Sequence, residues 1–481
     1  MTEVRSAGYH SALVGVLRAS TALVAGVLGI LLWQALAHVA TPARGELTRP
    51  VPLDEVLASL ALVLASLAVG IIVGAAVAWA LTRLGDSVAR SVLEALAWIA
   101  GMPWWALSPV ALAALLVAVT RSSGPTSGLG AVFTLGGLAA VLVAAAVAER
   151  CEGRTRAGLA AAGRALAVIT GGLVAVDALP GRPGVGSFAV QAVRGGGGDL
   201  AAAVTILLAA ALTGQVVASL ADHRRPARPA GPGPRDRRLR RAALVPLAVP
   251  AAMLLASAFA TNPLTQHLDL QLASPSGSHP LGTDQIGRDV LARLLAGFRT
   301  DFLTALGGAA LAAVAGGAWG SLAGRLRDHP SAAGRSLGEA TLGPAAGFVV
   351  APLLVGALVL GGVPSLPPAL VIGILLVPRV ALVVSERSAL AWPTAVGLGL
   401  SCLGVALSLV IGLGALLIGS RPPGPSVGGV IADSILVVAV RPYAALAAAL
   451  FALVGTAPIL LAGLALQRRD RPGESLGVLV A

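Results

Sequence analysis

The sequence predicts an all-α, polytopic membrane protein of about twelve spans, and three observations carry that prediction. Hydrophobic residues make up 56% of the 481 and charged residues only 12%, where a soluble domain carries about 25% charged. The apolar residues come in repeated uncharged runs of about 20, the length that crosses a ~30 Å hydrocarbon core. Arginines gather in alternate loops, the positive-inside pattern. Mean hydropathy is +0.87.

Runs bounded by charge or by Pro/Gly clusters place spans at 13–37, 56–82, 94–119, 129–148, 165–179, 200–220, 242–260, 302–324, 340–361, 368–384, 394–418 and 442–466. The first is longer than a signal-peptide core and reads as an anchor; the fifth is the shortest. Loops expected on the cytoplasmic side hold Arg83 and Arg90, then Arg150, Arg154, Arg156 and Arg164, then eight Arg between Arg224 and Arg241. Arg325, Arg327 and Arg335 follow, then Arg387, and the tail adds Arg468, Arg469 and Arg471. Both termini are therefore expected in the cytoplasm. The exception is 261–300, with Arg288, Arg293 and Arg299 on the opposite side.

Residues 222–241, DHRRPARPAGPGPRDRRLRR, split the chain near its middle. Pro, Gly and Arg with one large apolar residue make a solvated linker, and the same charge suits an anionic lipid surface. The flanking parts echo each other. PGRPGVGSFAVQAV, an apolar helix and ADHRRPARP close the first; RPPGPSVGGVIADSI, an apolar helix and LQRRDRP close the second. This reads as a duplication with six spans in 1–221 and six in 242–481, in parallel orientation because six is even.

The chemistry available is sparse. The net charge of +12 comes entirely from Arg on its basic side, since the chain has no Lys. A phosphate-binding P-loop Lys, a Schiff base and a Lys general base are thereby excluded, so any ATP used is hydrolysed on another chain. No HExxH or CxxC pattern occurs, and the six His are scattered. Cys151 lies in a polar loop and Cys402 in an apolar run, which suggests two unpaired thiols. Asp177, Asp199, Asp301, Glu339 and Glu94 fall at predicted span ends, and Arg379 near the cytoplasmic end of its span. Charges deep in a membrane are costly and mark ion or proton paths, so their scarcity argues against a proton-driven carrier. No catalytic, metal or cofactor site is expected.

One polar insert stands out, HPLGTDQIGRDVLARLL at 279–295. Thr283 or Asp284 is placed to cap a helix, after which Ile286, Val290, Leu291, Leu294 and Leu295 share one face. Asp284–Arg288 and Asp289–Arg293 are spaced as i,i+4 pairs, each worth ~0.2–0.5 kcal/mol when exposed. The reading is a short amphipathic helix on the outer membrane surface, with His279 a loop residue.

PSGSHPLGTDQIGRDVLARLLAGFRTDFLTAL, residues 275–306, resembles the segment after the first span in one permease subunit of peptide- and nickel-type ABC importers, roughly P-S-x-x-H-P-x-G-T-D-x-x-G-R-D-x-x-S-R-x-x-x-G-x-R, with Ala292 where Ser is usual. IGLGALLIGSRPPGPSVGGVIADSI looks like that subunit's late extracellular loop, and VDALPGRPGVGSFAVQAV is similar to the partner subunit's V-E-x-x-F-x-x-P-G-L-G-x-L-x-x-x-A. The resemblance implies two type I importer permease subunits fused by the Arg/Pro linker, in a bacterial cell membrane. It implies that peptides or similar small solutes arrive on an extracytoplasmic binding protein, and that separate cytoplasmic ATPase subunits carry ATP and Mg.

It also places ATPase-coupling candidates at Glu149, Arg150, Arg154, Arg156 and Gly158 in the loop 148–164, and at Glu386 and Arg387 in 385–393. Both loops depart from the family pattern, the second being truncated. The outer gate or docking segment implied is His279, Pro280, Gly282, Thr283, Asp284, Gly287, Arg288, Asp289 and Arg293. The alternative is a non-transporting or regulatory membrane protein derived from the same fold.

Overall fold

The computed structural model describes residues 50–81, 184–193, 200–221, 244–331, 366–385, 392–415, 424–437 and 442–467, with isolated positions within 140–170, within 333–342 and at 440. The predicted spans 13–37, 94–119, most of 129–148 and of 165–179, and 340–361 lie largely outside these residues, as do the linker 222–241 and Cys151. Among the described residues the fold is helical, with a single isolated antiparallel bridge.

Helix α1 (Leu53–Leu81) opens behind Pro52, with Asp54 and Glu55 in its first turn, where carboxylates complement the helix dipole. Two shorter elements follow, α2 (Val185–Val193) and the 22-residue apolar α3 (Leu200–Ala221). The predicted span 242–260 is described as a 3-10 turn (Val245–Leu247) leading into α4 (Ala248–Ala258). Its described part is shorter than a crossing requires. It ends before Thr261-Asn262-Pro263, where the Asn262 side chain accepts from Leu264 N–H and a proline closes off further helix.

Helix α5 (Val290–Arg327) has 38 residues, about 57 Å at the standard rise. It merges the predicted span 302–324 with the last six residues, 290–295, of the polar insert. Arg325 and Arg327 occupy its last turn, the favourable end for cations. Helices α6 (Pro368–Ser385), α7 (Trp392–Ala415), α8 (Val427–Leu436) and α9 (Pro442–Gln467) complete the described fold. Five of these helices, α1, α5, α6, α7 and α9, are long and apolar enough to cross a membrane.

The α5–α6 contact is built on small residues. Gly308, Ala312, Gly316 and Gly320 recur every fourth position and are buried, a spacing that lets helix backbones meet closely in an apolar solvent. A Cβ on Gly316 would lie 2.6 Å from Val377 O, and one on Gly320 2.5 Å from Ala381 O. Gly317, one position round the helix, faces open space. Helix α7 is packed between α5, α6 and α9 and supplies much of the core, including Ala406, Leu407, Leu409 and Ile411. At its start, Gln467 of α9 donates to Ser401 Oγ (2.6 Å) and Gly397 O (3.0 Å), which fixes the two helix ends together.

One local arrangement occurs twice. The backbone N–H of Val185, first residue of α2, donates to Ser59 Oγ on α1 at 2.8 Å. The N–H of Val427, first residue of α8, donates to Asp301 Oδ2 on α5 at 2.9 Å. Both bonds join residues 126 apart, and the two sets are displaced by 242 positions (59 to 301, 185 to 427). The same displacement relates Glu55, which lies against Gly184, to Gly297, which packs on Ser426.

Candidate functional site

Residues 267–289 precede α5 and form an irregular, hydrogen-bonded segment at one end of the bundle. The sequence expectation of a helix starting at Thr283 or Asp284 is not met: residues 283–289 are non-helical and α5 starts at Val290. Two glycines explain the difference. Gly282 (φ +73°) and Gly287 (φ +75°) take the left-handed conformation, which breaks a right-handed helix and suits glycine because it lacks Cβ. Pro280 follows His279 in a turn closed by Gly282 N–H on His279 O (2.8 Å), and Pro favours that second position. Gly287 closes the next turn on Asp284 O (3.1 Å), with the His267 backbone packed directly against it.

Between these turns Thr283 and Asp289 pair as an antiparallel bridge. Asp284 N–H donates to Arg288 O (2.9 Å) and Val290 N–H to Gly282 O (3.1 Å). The Thr283 hydroxyl donates to Leu270 O and accepts from Ala273 N–H. Asp289, not Thr283 or Asp284, is the N-cap of α5: its Oδ1 accepts from Ala292 N–H at 2.7 Å. Its Oδ2 lies 2.7 Å from His279 Nδ1, so His279 is a loop residue held by the capping carboxylate. The expected Asp289–Arg293 pair is therefore not made.

Arg293 instead bridges two carboxylates from separate elements. Its Nη1 donates to Asp284 Oδ2 at 2.6 Å and its Nη2 to Asp433 Oδ2, on α8, at 2.8 Å. Arg288 Nε also donates to Asp284 Oδ2 (2.6 Å), so the expected Asp284–Arg288 pair forms, though across a turn and not along a helix. Arg288 Nη2 reaches Asp433 Oδ2 at 3.4 Å, and Gln285 Nε2 donates to Asp433 O at 3.0 Å. Asp284 Oδ1 is occupied by the N–H groups of Ile286 (3.0 Å) and Arg288 (2.9 Å).

Asp284 and Arg293 are each 8% exposed, and the quartet of two cations and two anions is formally neutral. Asp284 and Arg293 form its buried pair, with Arg288 and Asp433 partly exposed; removing one partner of such a buried pair costs about 3–5 kcal/mol. Both Asp284 oxygens and Asp433 Oδ2 are engaged by N–H donors, an arrangement that suits a structural clamp.

The other end of α8 is held as firmly. Asp301 is 1% exposed, and its Oδ2 accepts from Val427 N–H and from Ser426 Oγ (3.3 Å). Asp301 is thus twelve residues into α5 and buried, whereas the sequence placed it at a span end. Arg379 also lies inside, on α6, lining a small cleft with Ser401 and Cys402 of α7. Cys402 is a free, buried thiol.

Of the sequence candidates, Thr283, Asp284, Gly287, Arg288, Asp289, Arg293, His279, Pro280 and Gly282 are thus brought into one polar cluster. The coupling candidates Glu149, Arg150, Arg154, Arg156, Gly158, Glu386 and Arg387 lie outside the described residues. Asp433 was missed from sequence, and its signal was present: it is the single charged residue between Arg421 and Arg441. Among the described residues no group of three or more His, Cys, Asp or Glu is placed to hold a metal ion. What the fold and this cluster define is a helical protein with membrane-spanning helices and a polar, ion-paired segment at one end. Comparison with models of known protein families finds no match, and no curated protein matches the chain.

Proposed function

We propose that the chain is the permease component of a bacterial ABC importer, two six-helix permease halves (1–221 and 242–481) joined by the Arg/Pro linker 222–241. The observation that carries this reading is the run of residues 275–306, whose order of His, Pro, Gly, Thr, Asp and Arg resembles the peptide- and nickel-type permeases at nearly every fixed position, Ala292 excepted. The recurrence of one helix-capping contact at a displacement of 242 residues supports the two-half reading. In this proposal peptides or similar small solutes arrive on an extracytoplasmic binding protein and pass between the halves. Separate ATPase chains supply the energy, consistent with a sequence that has no Lys for a phosphate loop. The segment 267–289 then faces the outside and both termini face the cytoplasm.

A second reading, a non-transporting or regulatory membrane protein of the same descent, is favoured by one observation. The sequence between the predicted spans 368–384 and 394–418 is a truncated loop, 385–393, with only Glu386 and Arg387 as charges to engage an ATPase. One experiment separates the two readings. The purified chain in lipid nanodiscs is mixed with candidate ABC ATPase subunits and solute-binding proteins from the same genome, and ATP hydrolysis is measured. Stable association, with hydrolysis raised several-fold by solute-loaded binding protein, supports the importer. Failure to associate with any ATPase sinks it and leaves the regulatory reading.

A further inference from the structure

Arg379 sits on α6, six residues before the helix ends at Ser385, and is only 8% exposed. A long cationic side chain this near a span end can snorkel to the interface, but here it is turned inward. Its Nε is buried and, among the described residues, is the one cationic nitrogen with neither solvent nor a hydrogen-bond partner. A guanidinium keeps its proton at any physiological pH, so it cannot escape the cost of burial by becoming neutral. Buried charges are normally paired, and an ionisable residue inside a membrane segment marks a site.

The surroundings say what would pair it. Arg379 lines a cleft between α6 and α7 whose lining residues are all buried. On each helix the lining positions are spaced i, i+3, i+4 and i+7, from 376 to 383 on α6 and from 398 to 405 on α7, the spacing of a single helix face. Arg379, Ser401 and Cys402 occupy the middle of these two faces. Leu376 and Val383 of α6, with Leu398 and Val405 of α7, close the two ends of the cleft with apolar groups. Ser401 already accepts from Gln467 Nε2 at 2.6 Å, so what its hydroxyl offers the cleft is a proton, and the Cys402 thiol is a weak donor as well. The lining thus holds one fixed positive charge, neutral donors and no carboxylate. The room is that of a single species about the size of a water molecule.

We infer that this cleft is a site for a small monovalent anion of halide type, chloride in the cell, held by the Arg379 guanidinium between α6 and α7. The sign of the ligand follows from the charge, and its size from the cleft. Phosphate, sulfate and carboxylate groups have several heavy atoms and are too large. The first two also hold their hydration water more strongly than a halide does, which apolar walls penalise. A halide here would neutralise Arg379 and would join α6 to α7 in the folded chain only. The site goes beyond the importer reading and does not depend on it.

The test uses the full chain in a zwitterionic detergent, melted in sodium gluconate and then with gluconate replaced stepwise by chloride at constant ionic strength. A ligand bound only by the folded state stabilises it by mass action, so Tm is expected to rise saturably with chloride, by about 3 °C or more at saturation. Bromide is expected to substitute for chloride, and sulfate is not. Arg379→Met, which keeps the length of the side chain without its charge, is expected to lose the chloride response, and so to lie closer to the unmodified chain in gluconate than in chloride. An arginine needed only for packing would instead lower Tm equally in both salts. Broadening of the chloride NMR line by the unmodified chain, reversed by bromide and lost in Arg379→Met, reads the binding directly.

A Tm in the unmodified chain that is the same in chloride and gluconate, with no broadening, overturns the inference. So does a response that sulfate matches at equal ionic strength, or one that survives in Arg379→Met. Each of these results leaves the importer proposal standing, because ATPase association is read in a separate assay.

Discussion

Asp289 shows how much a single side chain decides in this protein. Its two oxygens serve two purposes, capping α5 through Ala292 N–H and holding His279. Asn is as good an N-cap as Asp but carries no charge for the histidine, and Ala offers neither function. Asp289→Ala is expected to lower stability by about 1–2 kcal/mol, read as a lower Tm in detergent, and Asp289→Asn by clearly less. Equal losses for the two variants would show that the cap is not what matters. At Arg293 the loss is expected to be larger. Arg293→Met leaves Asp284 and Asp433 short of their shared cation in a largely buried place, and removing one partner from such a pair costs about 3–5 kcal/mol. The same melting assay checks it, with Asp433→Asn expected to cost less because Asp433 is one-third exposed (34%).

At the scale of elements, the α5–α6 interface depends on the absence of side chains. Gly316 and Gly320 face the α6 backbone with no room for a Cβ, while Gly317 points to open space. Overpacking an interface of this kind costs typically about 1–3 kcal/mol. Gly316→Leu and Gly320→Leu are therefore expected to lower the Tm and broaden the transition, and Gly317→Leu to leave it unchanged or slightly higher, since Leu is the better helix former. A Gly317→Leu variant as unstable as the other two would refute the packing assignment. The spacing of small residues is legible in the sequence. Which of the adjacent glycines faces the partner is settled only by the rotation of α5 against α6.

At the scale of the molecule, the expected topology puts 261–300 outside and the Arg325–Arg335 loop inside. Ser276 and Ser331 are both exposed and lie beyond opposite ends of α5. With Cys151 and Cys402 replaced, Ser276→Cys is expected to react with a membrane-impermeant thiol reagent added to intact cells. Ser331→Cys is expected to react only after permeabilisation. The reverse pattern would invert the orientation and move the ion-paired segment to the cytoplasmic side.

The sequence by itself determined the class: apolar runs of spanning length fix a helical membrane protein, and the runs at 56–82, 368–384, 394–418 and 442–466 lie within a few residues of α1, α6, α7 and α9. It also picked out the residues of the polar cluster. It misjudged how they are used, because i,i+4 spacing assumes a helix and two glycines at positive φ remove it. Periodicity reports only neighbours along one chain segment. The partners that matter most here are distant: Arg293 with Asp433 at 140 residues, and Asp301 with Val427 at 126. Such pairs exist only once α5 and α8 are packed side by side, so only the tertiary structure could decide that a charged stretch resembling a surface helix is the clamp that holds α8 in place.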